Sequence, residues 1–226
     1  MRRVVAVVIT LLVAVYIPLA AFMVVSSAPV SIALMDDALK QTTTDATERE
    51  YLLDVATAVR EFSFGDDAAA IPTGEDYRTA LSSDEITHLL DVRLVFLTVE
   101  YVSIGILFAL ILLLTITVRR YRTGFLGLPL IAGGGLPLAA ALILSIVVAV
   151  DFNAFFAWMH SLFFADGTWV FPADSLLIRS LPSGYWLSSA GVWAGSMVLL
   201  CAISIATGLF FKRREARVEQ ESGKTG

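Results

Sequence analysis

Four long apolar runs dominate the pattern of hydrophobic and polar positions, at about Val4–Val25, Leu94–Val118, Phe125–Val150 and Leu187–Phe211. Each reaches the roughly 20 residues that cross a bilayer's hydrocarbon core. Backbone amides at that depth have no water to bond, so the runs predict helices. The short alternating strands of a membrane β-barrel are not in the pattern. Gly133-Gly134-Gly135 and Pro137 interrupt the third run and predict a kink or a close helix contact. Between the first two runs, Leu39, Tyr51, Leu52, Val55, Val59 and Phe62 include helical spacings and predict an amphipathic helix. Phe64-Gly65-Asp66-Asp67 breaks it, and Pro72-Thr73-Gly74 marks a turn. Ser82-Ser83-Asp84-Glu85 reads as a cap. The helix it opens carries Ile86, His88, Leu89, Val92 and Arg93 straight into the second span. The predicted fold class is all-α: a polytopic membrane protein with four transmembrane helices. One domain covers 1–211, with loops over 26–93 and 151–186 and a tail over 212–226.

Charge orients this plan. The net charge of −5 averages over a sharp partition. Arg2 and Arg3, then Arg119, Arg120 and Arg122, then Lys212, Arg213, Arg214 and Arg217 all fall on one side of a four-span topology. The stretch Asp36–Arg93 carries 14 acids against 5 bases. The positive-inside rule therefore places both termini and the short middle turn in the cytoplasm, and the two longer loops outside. Val25-Ser26-Ser27-Ala28 looks like a small-residue cleavage site. However, the run before it exceeds a signal h-region of about 7–15 residues, and Pro29 would follow the cut. The expectation is an uncleaved anchor. The charged stretch Glu215–Gly226 reads as a disordered tail.

Composition narrows the chemistry. The chain is 57% hydrophobic, against about 45–50% for soluble domains. A lone cysteine, Cys201, sits near the middle of the fourth span, where packing is the expected role. It excludes an intrachain disulfide and a Cys-rich zinc cluster. No basic patch lies outside the cytoplasmic flanks, which excludes nucleic acid as a partner. There is no HExxH, no GxSxG and no phosphate-binding glycine pattern in an aqueous setting. The stretch Asp151–Trp186 holds 10 aromatic residues in 36, and rings concentrate at headgroup level. Phe152–Phe164 is therefore expected to lie in the outer interface, as an anchoring belt or as the wall of a lipid site.

The chain has two histidines, His88 and His160, and both fall in the outer loops near a membrane surface. His88 and Asp91 share a helix face at i, i+3. There a carboxylate can orient an imidazole, or simply form a surface pair. Glu100 lies about two turns into the second span, where an ionisable group marks a functional site unless the interface begins later. A zinc site of His88, His160 and Asp91 has the ligand types of a catalytic centre, although no motif supports it.

Two stretches carry a resemblance. His88-Leu89-Leu90-Asp91-Val92-Arg93 is similar to a His-hydrophobic-x-Asp-Val-basic motif before a span. The longer stretch is Trp158-Met159-His160-Ser161-Leu162-Phe163-Phe164, then Trp169-Val170-Phe171, Asp174, Leu177-Ile178, Pro182 and Tyr185-Trp186. Together they resemble the lipoprotein intramolecular transacylase (Lit) family of bacterial membrane proteins. Leu89 stands where methionine is usual, and Met159 where an aromatic is usual.

The resemblance implies an acyltransferase of the bacterial cytoplasmic membrane. It moves the sn-2 acyl chain of a diacylglyceryl-cysteine lipoprotein to the α-amino group of its N-terminal cysteine, giving the lyso-form. It implies no cofactor and no metal, diacylglyceryl-modified lipoproteins and membrane lipids as partners, and an extracytoplasmic site. The family's essential histidines correspond to His88 and His160. The expected roles are His160 as base, Asp91 orienting His88, and Arg93, Trp158, Phe163, Phe164, Trp169, Phe171 and Asp174 meeting substrate or fixing the loop. A non-catalytic membrane scaffold and a metal-dependent membrane hydrolase are the alternatives.

Overall fold

The computed structural model describes residues 2–65, 70–121 and 123–222. Asp66 and Asp67 of the predicted helix break, Arg122 of the basic turn and residues 223–226 of the predicted tail lie outside them. The described elements are α1 (Arg2–Ser26), α2 (Ala28–Thr42), α3 (Ala46–Ser63), α4 (Ser83–Arg120), a 3-10 turn (Thr123–Leu126), α5 (Gly127–Val150), α6 (Phe152–Phe163), α7 (Leu176–Ser180) and α8 (Ser183–Ser222). Among the described residues the strand pairing is one isolated bridge, Thr73 to Leu81. Four stretches are long and apolar enough to span a membrane: Arg2–Ser26, Ser83–Arg120, Thr123–Val150 and Ser183–Val218. The protein is an all-α membrane protein. The chain divides into two compact units.

The first unit comprises 1–24, 101–146 and 193–226. Its core is Ile9, Val13, Ile17 and Ala21 of α1, Leu110 of α4, Leu126 of the 3-10 turn, Ala141 of α5, and Met197 and Cys201 of α8. Only 17–22% of each apolar window is buried by protein. Residues such as Leu11, Phe108, Ile143 and Phe210 are left facing outward, and lipid is the solvent that suits them.

Small residues and hydroxyls bring these helices together. A Cβ added at Gly133 would lie 2.8 Å from the Val13 side chain, and one at Gly134 2.9 Å from the Cys201 carbonyl oxygen. The interrupted third run thus marks close helix contact at those two glycines. Gly135 meets nothing within 4 Å. Ser204 Oγ donates to the Leu130 carbonyl at 2.9 Å and Trp193 Nε1 to the Pro18 carbonyl at 3.1 Å. The tightest approach to backbone is at Gly208, where a Cβ would stand 2.6 Å from the Gly127 carbonyl oxygen. Gly208→Val is therefore expected to push α8 off α5 at a cost of about 1–3 kcal/mol and to lower the thermal midpoint in detergent. Gly135→Ala should leave the midpoint unchanged.

Helix α8 corrects the expected disordered tail, because it continues through Glu215 to Ser222. No glycine or proline occurs between Lys212 and Ser222, and Arg, Glu and Ala are good helix formers. The Glu215 side chain also lies directly against Gly124.

The second unit comprises 25–100 and 147–192. The amphipathic helix expected in its first half is α3, which buries Leu52, Val55, Val59 and Phe62. The Asp45 carboxylate opens α3 by accepting from Thr47 N at 2.8 Å and Glu48 N at 3.3 Å. Phe64 caps its end, and Gly65 follows at φ 93°, a left-handed value that glycine adopts without strain. Helix α2 adds Met35 and Leu39 to this core, α4 adds Leu89, and α7 adds Leu176 and Leu177.

Candidate functional site

Both histidines belong to the second unit. His88 stands in the second turn of α4, and His160 in the last turn of α6. At 38 residues, α4 is about 57 Å long, well beyond a hydrocarbon core of about 30 Å. Its continuous apolar run begins only at about Leu94, so the first two turns, with Asp84, Glu85, His88 and Asp91 near them, precede the stretch expected to span.

The start of α4 is fixed by a reciprocal cap. Ser82 Oγ accepts from Glu85 N at 3.3 Å, while Glu85 Oε2 accepts from Ser82 N at 2.8 Å and from Ser82 Oγ at 2.9 Å. The other Glu85 oxygen, Oε1, accepts from Leu177 N of α7 at 3.0 Å. Glu85 is 1% exposed and one turn before His88. It ties the loop that ends at α7 to the helix that carries the histidine. Helix α6 begins at Asp151, whose carboxylate accepts from Ala154 N at 2.9 Å.

The two imidazoles stack, with centroids 6.2 Å apart and planes at 29°. Aromatic rings enclose them. Phe164 meets His88 edge-on at 4.7 Å and His160 at 5.5 Å. Phe171 lies 5.6 Å from His88. Trp169 lies 4.9 Å and Phe156 4.0 Å from His160. His88 is 7% and His160 8% exposed.

This enclosure decides the protonation states. Burial, reinforced by the neighbouring His160 and opposed by Asp91, pulls His88 from 6.5 down to about 4. Burial also lowers His160, against the opposing pull of the Phe156 carbonyl. Both rings are neutral near pH 7. His160 Nδ1 lies 2.9 Å from the Phe156 carbonyl oxygen, which can only accept. Nδ1 therefore carries the proton, and Nε2 offers its lone pair. His88 Nδ1 is buried with no hydrogen-bond partner among the described residues.

For His88 the folded value lies below the unfolded one. Its contribution to stability is complete above about pH 6.5 and is lost as pH falls toward 4. Its imidazole resonances are accordingly expected to stay flat from about pH 8 to 5.5. A transition near 6.5 in the folded protein would contradict the burial.

Of the residues singled out in sequence, His88, His160, Phe164, Trp169 and Phe171 meet. The others do not join them. Asp91 is exposed and makes no hydrogen bond to His88 Nδ1, so the expected orienting contact is not formed. The Arg93 guanidinium stacks over Phe62 at 4.9 Å and donates to the Gly65 carbonyl at 3.4 Å. Trp158 is 54% and Phe163 56% exposed. Asp174 lines a separate polar cleft of about 400 Å³ with Glu48, Tyr51, Arg78, Thr79 and Arg179. Across that cleft Arg179 pairs with Glu48 at 2.6 Å and donates to the Arg78 carbonyl at 3.0 Å.

Among the described residues no three His, Cys, Asp or Glu side chains group as metal ligands. Sequence reasoning missed Glu85 and Phe156 as site residues. Their signals were present: Glu85 closes the Ser82 capping box, and Phe156 lies one turn before His160.

The fold is that of an all-α membrane protein with four candidate spans, and it holds a buried imidazole pair under aromatic rings. The model of the family described as lipoprotein intramolecular transacylase Lit matches residues 4–186. The chain belongs to that family, and is accordingly an acyltransferase, a lipoprotein intramolecular transacylase. Its fold is similar to that of the membrane-integral Lit from Bacillus cereus, with a TM-score of 0.78 at 18% identity over 96% of this chain and 98% of that one. Two further structures of the Bacillus cereus protein, with a histidine replaced by arginine or by alanine, match with TM-scores of 0.68 at 15% identity. They cover 96% of this chain and 95% and 96% of theirs. No curated protein matches.

Proposed function

We propose that the chain transfers the sn-2 acyl chain of a diacylglyceryl-cysteine lipoprotein to the α-amino group of the same cysteine, with His160 as the proton-transfer group. The observation that carries this reading is the fixed tautomer of His160, whose Nδ1 is committed to the Phe156 carbonyl while Nε2 is left basic beside a neutral His88. The α-amine has a pKa of about 8, and an imidazole is a suitable base for it near neutral pH. The amine attacks the ester carbonyl, and its surplus proton passes to His160 Nε2. The tetrahedral intermediate then expels the glyceryl oxygen, which takes that proton from the imidazolium. No net proton is gained and no cofactor enters.

His88 stays neutral beside the imidazolium, since two stacked rings of like charge repel. Phe164, Trp169 and Phe171 exclude water, so that aminolysis is favoured over hydrolysis. One substrate carries both amine and ester, and positioning supplies much of the rate. The charge partition of the loops supports an extracytoplasmic site with both termini in the cytoplasm.

The test is expression in cells that make only diacylated lipoproteins, followed by fragmentation of the N-terminal lipopeptide of one purified lipoprotein in a mass spectrometer. Intramolecular transfer leaves the total mass unchanged, so the fragments must locate the acyl chain. The expected product is N-acyl, S-monoacylglyceryl cysteine. A free amino terminus with the inserted protein present would return the scaffold reading to the front.

A further inference from the structure

Three of the four tryptophans dispose of their N–H groups in ordinary ways. Trp186 Nε1 donates to the Leu181 carbonyl at 3.2 Å, and Trp193 Nε1 to the Pro18 carbonyl at 3.1 Å. Trp158 is largely exposed. Trp169 differs, because its Nε1 is shut off from solvent and finds no acceptor among the described residues. An indole nitrogen can only donate. A buried donor left unpaired costs about 1–3 kcal/mol, and native proteins keep few of them. This one lies beside the base, with its ring 4.9 Å from that of His160.

The reaction supplies what the indole lacks. When the amine lone pair forms the C–N bond, the carbonyl π pair moves to oxygen and creates an oxyanion. His160 Nδ1 is held by Phe156, and its Nε2 takes the proton. Two guanidinium groups of the same unit are engaged elsewhere, Arg93 on Phe62 and Arg179 on Glu48. A preorganised donor in a dry site is worth far more to a developing charge than the same donor in water.

We propose that Trp169 is a catalytic residue whose Nε1–H donates a hydrogen bond to the ester carbonyl oxygen as it becomes the oxyanion. The role rests on the transacylation reading above. Collapse of the intermediate restores the C=O bond, breaks the C–O bond to glycerol and returns the His160 proton to the glyceryl oxygen. The indole N–H stays intact throughout.

Trp169→Phe keeps an aromatic plate against His160 and removes the N–H. Full-length protein in lipid, given a diacylglyceryl lipopeptide, should show kcat lowered about 10²–10³-fold and KM within about 3-fold. The thermal midpoint should be unchanged or raised, because the substitution deletes an unsatisfied buried donor. A purely structural role would lower the midpoint instead. A kcat within about 3-fold of wild type would overturn the assignment while leaving the transacylation intact. Absence of transfer by the wild-type protein would overturn the transacylation reading and the indole's role with it.

If Trp169→Phe does not fold, the wild-type protein decides. An alkyl phosphonate analogue of the ester, with a charged oxygen in place of the oxyanion, should move the Trp169 indole N–H resonance downfield. An analogue that inhibits without moving it would overturn the proposal.

Discussion

His160→Ala will lower transacylation by about 10²–10⁴-fold, the usual contribution of a positioned proton-transfer group, and the cavity left among Phe156, Phe164 and Trp169 will also lower the thermal midpoint. The His160 ring bonds only the carbonyl of its own helix at Phe156, so its removal strands no donor elsewhere. His160→Gln should be as inactive, because its amide supplies polarity but no base. Asp91→Asn is the control. Asp91 is exposed and unbonded to His88, and the variant should keep activity within a few-fold. Rates come from lipopeptide turnover, and fold from the thermal midpoint in the same detergent. Retained activity in His160→Ala would remove the base from the mechanism. Loss in Asp91→Asn with His88 intact would restore the orienting role that spacing alone suggests.

The contrast between Asp91 and Glu85 shows where the sequence runs out. On a helix of 3.6 residues per turn, Glu85 and Asp91 stand about 60° to either side of His88. Both are therefore i, i+3 partners by count. Which side faces inward depends on Leu89, about 100° round on the Glu85 side and buried in the second unit's core. Periodicity could not rank the two carboxylates, because the partner that Glu85 finds, the Leu177 amide of α7, lies 92 positions along the chain. The capping box was legible locally, and so was the run of helix into the second span. The bond from Glu85 to Leu177 is a long-range fact.

The aromatic loop divides in the same way. Its content of rings was plain, yet Phe164, Trp169 and Phe171 turn toward the histidines while Trp158 and Phe163 turn out. On α6 the inward direction is set by Phe156 and His160, one turn apart. Trp158, two positions before His160, falls about 200° round from it. Residues at i and i+4 share a face, whereas a motif read as a string treats all its members alike. The same holds for Asp174 and Arg93. Both belong to the motifs that resemble the family, but the fold gives one to the polar cleft and the other to the end of α3.

Glu85→Leu carries the second large effect, and it bears on stability first. Leucine leaves the Leu177 amide N–H without its acceptor at a buried position, which costs about 1–3 kcal/mol. It also dissolves the cap of α4, for about 1 kcal/mol more. The expected loss is about 2–4 kcal/mol, read as a lower denaturation midpoint in detergent. Glu48→Ala is the comparison. That carboxylate holds Arg179 at the same short helix, but its side chain is 40% exposed, so the midpoint should move far less.

Glu85→Gln separates shape from charge. Its amide oxygen can replace one of the two carboxylate oxygens as acceptor, while its NH₂ group faces an N–H that also needs one. An intermediate midpoint is expected. Because α7 follows the loop bearing Trp169 and Phe171, release of Leu177 should also loosen the rings around His88. The His88 resonances, flat to about pH 5.5 in the wild type, should then titrate at a higher pH as water enters. A lowered midpoint with unaltered His88 titration would mean that Glu85 holds the fold alone and leaves the imidazole pair untouched.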